Sequence, residues 1–335
     1  MSASFWKLFG IGVVSSIDTL LSREEVTLEE LFDEDDLLNE CKYGNKQLLE
    51  FMLRDESLVR LFQILTQTPE EDAHPKVATR YPYLAAEILC TEGWWVEMSD
   101  ALCNKHPELL LSLWEYFLQA PPLNVTQATH ISRVAITYFE RKPDFTLQLL
   151  QSKTDLLDKL ISHIGLPPIV DLLLKLIACS ETAEGAIVME WLASANLVPK
   201  LVGKLDPKTA TPAEQESVSE ALTEVIVRAE ARSLIAKLES ADTFSTLFKF
   251  VVDSDGDLSH VEHILTLTIK LLERSIDGPF DFSSTIDNLP VVCSSVIPAI
   301  PLFVKAIRAE RNIPPFALSH GKTVPPVGPI KLKAV

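Results

Sequence analysis

Glycine is scarce in this chain, at 11 of 335 residues. No G-x-x-x-x-G-K-[ST] or G-x-G-x-x-G cradle for phosphate groups occurs, nor the G-x-S-x-G turn of serine hydrolases, so nucleotide chemistry and that acyl chemistry have no visible seat. Little glycine also favours helix. Cysteine is thin as well. Cys41, Cys90, Cys103, Cys179 and Cys293 are odd in number and widely spaced, without a C-x-x-C pair. They read as buried thiols in a reducing cytosol, not as a disulfide framework or a zinc site. Cations are outnumbered: 30 Lys and Arg face 47 Asp and Glu, for a formal charge of −17 and a pI near 4.9. Such a field repels phosphate backbones and anionic lipid, which argues against nucleic acid and membrane partners and leaves basic patches on proteins as fitting company.

Long apolar runs are missing too. The longest uncharged stretch, "NLPVVCSSVIPAIPLFV", has 17 residues and carries Pro290, Pro298 and Pro301, too short and too kinked for membrane insertion. "MSASFWKLFGIGVVSS" lacks a basic start and breaks its apolar run with Lys7, a poor secretory signal. The sequon Asn124, Val125, Thr126 carries little weight in such a chain.

What is present is helical periodicity. Hydrophobic residues make up 47% and mean hydropathy is +0.17, an ordinary globular balance. In "ELLLSLWEYF", Leu109, Leu110, Leu113, Trp114 and Phe117 fall on one stripe of a 3.6-residue helix. The same spacing returns from Leu58, Leu156, Leu197 and Phe244, so the starts lie 51, 47, 41 and 47 residues apart. Between them lie second helical patterns over 167–179, 213–229 and 259–275. Two helices every forty to fifty residues predict an all-α chain, an irregular HEAT/armadillo-like helical-repeat solenoid. The expected organisation is acidic N-terminal helices over 1–56, degenerate helical repeats over 57–308, and a Pro-rich connection over 309–335 that stops before further repeats. Capping boxes are expected at Thr27 with Glu30, Thr68-Pro69 with Glu71, Thr211-Pro212 with Glu214, and Ser259 with Glu262.

The most charged stretch, "EEVTLEELFDEDDLLNECK" over 24–42, holds nine carboxylates. It fails as an EF-hand loop: counted from Asp33, position 5 is Leu37 and position 12 is Gly44. Counted from Asp253, position 6 is Leu258 and position 12 is Ile264, and that loop fails too. His260 and His263 lack the H-E-x-x-H order and read as exposed histidines at a helix start. No catalytic residue, metal ligand or cofactor is signalled. The acidic run reads instead as two short amphipathic helices, the second with Asp35 and Asp36 in its first turn. Among the aromatics, Trp114 belongs to a core stripe, whereas Trp94, Trp95, Trp191, Tyr81 and Tyr83 are open to a partner role. In "ATRYPYLAAEIL", Arg80, Tyr81 and Pro82 stand just before an apolar helix, where a solenoid presents its ridge.

Several ordered motifs then carry a resemblance. Phe5-Trp6-Lys7, Asp18-Thr19-Leu20-Leu21, Glu40-Cys41-Lys42, Asn45, Arg80-Tyr81-Pro82 and Glu87-Ile88-Leu89, with "LLDKLISHIGLPPIVDLLLKLI" and "GKTVPPVGPIKLKAV", make the chain resemble the SAPS-domain family. These are the Sit-four-associated proteins of fungi and the regulatory subunits of protein phosphatase 6 in animals. The resemblance implies a non-catalytic helical scaffold that binds the catalytic subunit of a protein phosphatase 6-type serine/threonine phosphatase and directs it to substrates. It also implies ankyrin-repeat subunits as further partners, and a cytoplasmic location with room for nuclear presence. The family's long acidic C-terminal region is lacking here, and "CTEGWWVEMSDALCNKHP" departs from its pattern. The expected partner-binding residues are Asp33, Glu34, Asp35 and Asp36, by charge steering, and Arg80, Tyr81 and Pro82, by anchoring. A general α-solenoid adaptor for transport or trafficking, without phosphatase, is the competing reading, and an enzyme with an unrecognised site stands behind it.

Overall fold

The computed structural model describes residues 15–69, 73–179, 185–228, 231–253, 259–277, 289–308, 316–317 and 323–324. Polar caps set many of its helix starts. Ser15 opens α1 (Ser16–Leu21) by accepting from the N–H groups of Ile17 and Asp18. Thr27 opens α2 (Leu28–Phe32) with the reciprocal box: its hydroxyl accepts from Glu30 N–H, and the Glu30 carboxylate accepts from Thr27 N–H. After α3 (Leu37–Lys42), Gly44 takes φ +73°. There a side chain would be strained, and the turn lets the Asn45 N–H reach back to the Glu40 carbonyl. Asn45 then caps α4 (Lys46–Met52), which precedes α5 (Asp55–Thr66).

A π-turn, Lys76–Arg80, runs straight into α6 (Tyr81–Leu89). The 3-10 turn Glu92–Trp94, α7 (Trp95–Asp100) and a second π-turn, Ala101–Lys105, come next. The series continues through α8 (Pro107–Tyr116), α9 (Val125–Arg141), α10 (Pro143–Gln151) and α11 (Leu156–Ser162), closing a first compact unit at His163. In it α5, α6 and α9 pack on one another and α8 leans on α5 and α9. Leu61, Phe62, Ile88, Trp114, Ile131 and Ala135 are buried there. Ion pairs join helices far apart in sequence: Glu29 with Arg60, Asp33 with Lys76, Asp35 with Arg80, Glu87 with Arg133, Glu92 with Arg141, and Glu115 with Lys153.

The second unit starts at Ile164, within the span read as continuous repeats. Its long helices α12 (Pro167–Ala178), α15 (Pro212–Val227) and α18 (Ser259–Asp277) begin at 167, 212 and 259, spacings of 45 and 47 residues. Each packs on the next. Helices α13 (Gly185–Ser194), α14 (Leu197–Gly203), α16 (Arg232–Leu238) and α17 (Ala241–Val252) pack among themselves and flank that row. A row in which each helix leans on its neighbours, backed by a second row, is a helical-repeat solenoid arrangement. Helix α12 is buried along Ile169, Val170, Leu172, Leu173, Leu176 and Ile177, as its nearly all-round apolar sequence requires. Helices α19 (Val291–Val296) and α20 (Ile300–Arg308) follow. The Pro-rich stretch contributes one two-residue antiparallel pair, β1 (Phe316–Ala317) with β2 (Thr323–Val324). The chain is thus all-α apart from that pair, among the described residues.

Thr211 and Glu214 form the expected reciprocal box. The box at Thr68 does not open a helix at Pro69, which lies outside regular structure; the Thr68 hydroxyl instead donates to Gln127 Oε1 at 3.4 Å. Its proposed partner Glu71, the Ser259 side chain, the loop 254–258 and Phe5-Trp6-Lys7 lie outside the described residues. Asp35 and Asp36 precede α3 instead of filling its first turn, and Asp36, at the N-cap, makes no side-chain cap bond. His260 is buried, with Nε2 3.1 Å from the Phe250 carbonyl, because its helix turns that face into the core. It is not an exposed histidine. Of the five thiols only Cys41 is fully buried; the other four are part-exposed at helix ends and turns.

Candidate partner-binding surface

The acidic turn and the Arg80-Tyr81-Pro82 stretch meet. Lys76 Nζ lies 2.7 Å from Asp33 Oδ1, and the Tyr81 hydroxyl donates to that same oxygen at 3.3 Å. The Lys76 hydrogen bond foremost, with the Tyr81 hydroxyl and nearby Arg80, holds the Asp33 carboxyl below its ordinary range. Arg80, 45 residues from Asp35 in sequence, reaches its carboxylate at 3.2 Å and donates to the Glu34 carbonyl oxygen at 3.5 Å. Glu34 accepts from Ser16 Oγ at 2.6 Å, and Asp36 from Asn39 Nδ2 at 3.3 Å. Beneath these contacts Phe32 and Tyr81 meet edge to face, ring centroids 5.4 Å apart. The π-turn is therefore clamped to the turn between α2 and α3.

These residues do different things. Asp35, with a side chain 96% exposed, presents its charge to solvent. Tyr81 and Pro82 are buried. Helical phase explains this: Tyr81, Leu84, Ala85 and Ile88 share the inward stripe of α6, so Tyr83 and Glu87 point outward. Tyr83 is 42% exposed, and its ring lies edge-on to His130 of α9, centroids 6.1 Å apart. The inventory of aromatics leaves Tyr81 and Tyr83 alike open to a partner role, and it is the helical phase that turns Tyr81 inward and Tyr83 outward.

Pro82 forms part of a cavity of about 280 Å³ between the π-turn and the start of α9, lined among others by Ala78, Thr79, Asn124, Thr126 and His130. Val77 of the π-turn, Tyr83 of α6 and Val125 of α9 are exposed nearby in sequence. Asn124 caps α9 by accepting from Gln127 N–H, and the Thr79 hydroxyl donates to the Pro75 carbonyl at 2.8 Å. Burial first, and then the nearby Arg133, hold the His130 imidazole below its ordinary value. Gln127 is buried beneath, donating to the Leu65 carbonyl and accepting from the Tyr116 hydroxyl. No group of three or more His, Cys, Asp or Glu suited to a metal occurs among the described residues. No described helix is long and apolar enough to cross a membrane.

Comparison with known proteins adds relatives to this geometry. The family profile described as SIT4 phosphatase-associated protein, SAPS, matches residues 135–333. The chain is similar to serine/threonine-protein phosphatase 6 regulatory subunit 2 of Mus musculus, 32% identical over 90% of this chain and 34% of the relative. It is also similar to regulatory subunit 3 of Gallus gallus, 30% identical over 99% of this chain and 40% of the relative. Extragenic suppressor of kinetochore protein 1 of Schizosaccharomyces pombe is 29% identical over 81% of this chain and 35% of its own length. The chain thus spans a third to two fifths of the length of these relatives. No solved structure matches. With the profile covering more than half of its residues, the chain belongs to the SAPS family of SIT4 phosphatase-associated proteins.

Proposed function

We propose that this chain is a non-catalytic regulatory subunit that holds the catalytic subunit of a protein phosphatase 6-type serine/threonine phosphatase and directs it to substrates. The observation that carries this reading is the near-complete alignment of the chain with proteins named as regulatory subunits of that phosphatase. A helical-repeat protein with a formal charge of −17 suits the role, because stacked helices offer a long continuous surface to a folded enzyme. In this reading Asp33, Glu34, Asp35 and Asp36 steer a basic face of the catalytic subunit into place, and Arg80, Tyr81 and Pro82 hold the neighbouring surface in shape. Ankyrin-repeat subunits are proposed as further partners and the cytoplasm as the working location. Co-expression of the chain with the catalytic subunit tests the reading: the two should co-purify in stoichiometric amount, and the chain alone should hydrolyse no phosphopeptide. Independent elution of the two proteins would overturn it and favour a general solenoid adaptor. Changing the four carboxylates of the acidic turn to Ser should lower recovery at physiological salt; undiminished recovery removes them from the contact.

A further inference from the structure

We draw no further inference here: the strongest candidate, the apolar surface patch of Val291, Ile297, Ile300 and Val304 exposed along α19, the 3-10 turn Ile297–Ala299 and α20, carries nothing because no feature of the structure shows what covers it.

Discussion

Gly93 lies against backbone. A Cβ there would stand 2.7 Å from the Cys41 carbonyl oxygen and 3.1 Å from that of Lys42, so the 3-10 turn Glu92–Trp94 can close on the end of α3 only without a side chain. Gly93→Ala should destabilise the chain by about 1–3 kcal/mol, read as a lower denaturant midpoint. Gly203, with nothing within 4 Å of the equivalent position, is the contrast: Gly203→Ala should be neutral or stabilising by up to about 1 kcal/mol. Thr211→Ala removes a reciprocal cap and should cost about 1 kcal/mol. Its partner Glu214 is pushed up by burial, but hydrogen bonds from Lys204 and Thr211 outweigh that and set it below its ordinary 4.5. A carboxyl lowered in the folded state contributes stability that is full above 4.5 and lost as pH falls through the lower folded value. Glu214→Gln keeps an acceptor for Thr211 and removes this titration. Its unfolding midpoint should therefore fall less steeply with acid than that of the unaltered chain.

Among elements, the π-turn Lys76–Arg80 has the most local consequence. It gains little from its own hydrogen-bond pattern and is held by a carboxylate on each of two cations. Asp33→Asn should speed amide exchange over 76–80, and the exchanged pair Asp33→Lys with Lys76→Asp should bring it back towards the original rate, since the ion pair is re-formed with its ends reversed. A partner that read Asp33 directly would lose binding in the exchanged chain, which separates clamping from steering. Much of the helical framework was legible in the sequence, because stripes such as Leu109 to Phe117 and boxes such as Thr211 with Glu214 are local signals. The meeting of Asp33 with Lys76 and of Asp35 with Arg80 was not. It depends on how α2, α3 and α6 pack, and neither residue carries a mark of its partner. Burial of Tyr81 and Pro82 was legible in the phase of α6, whereas a cluster of aromatics read without phase suggests a ridge. His260 shows the same limit, for a histidine near a helix start is polar by composition and buried by the rotation of its helix.

For the molecule as a whole, charge is the property most open to measurement. At −17 its long-range attraction for a basic face is screened over about 10 Å at 0.1 M salt, so association with the catalytic subunit should slow as ionic strength rises while dissociation changes less. Stopped-flow rates at several salt concentrations check this, and a salt-independent association rate would remove steering from the account. The long-range ion pairs of the first unit add a direction to that charge. In Glu29–Arg60, Asp33–Lys76, Asp35–Arg80, Glu87–Arg133, Glu92–Arg141 and Glu115–Lys153 the acid belongs to the earlier segment and the base to the later one. Surface pairs of this kind add little to stability one by one, yet each one matches the charge of two segments distant in sequence, so reversing the sign of a single member sets like charges against each other across the fold while exchanging both members keeps the match.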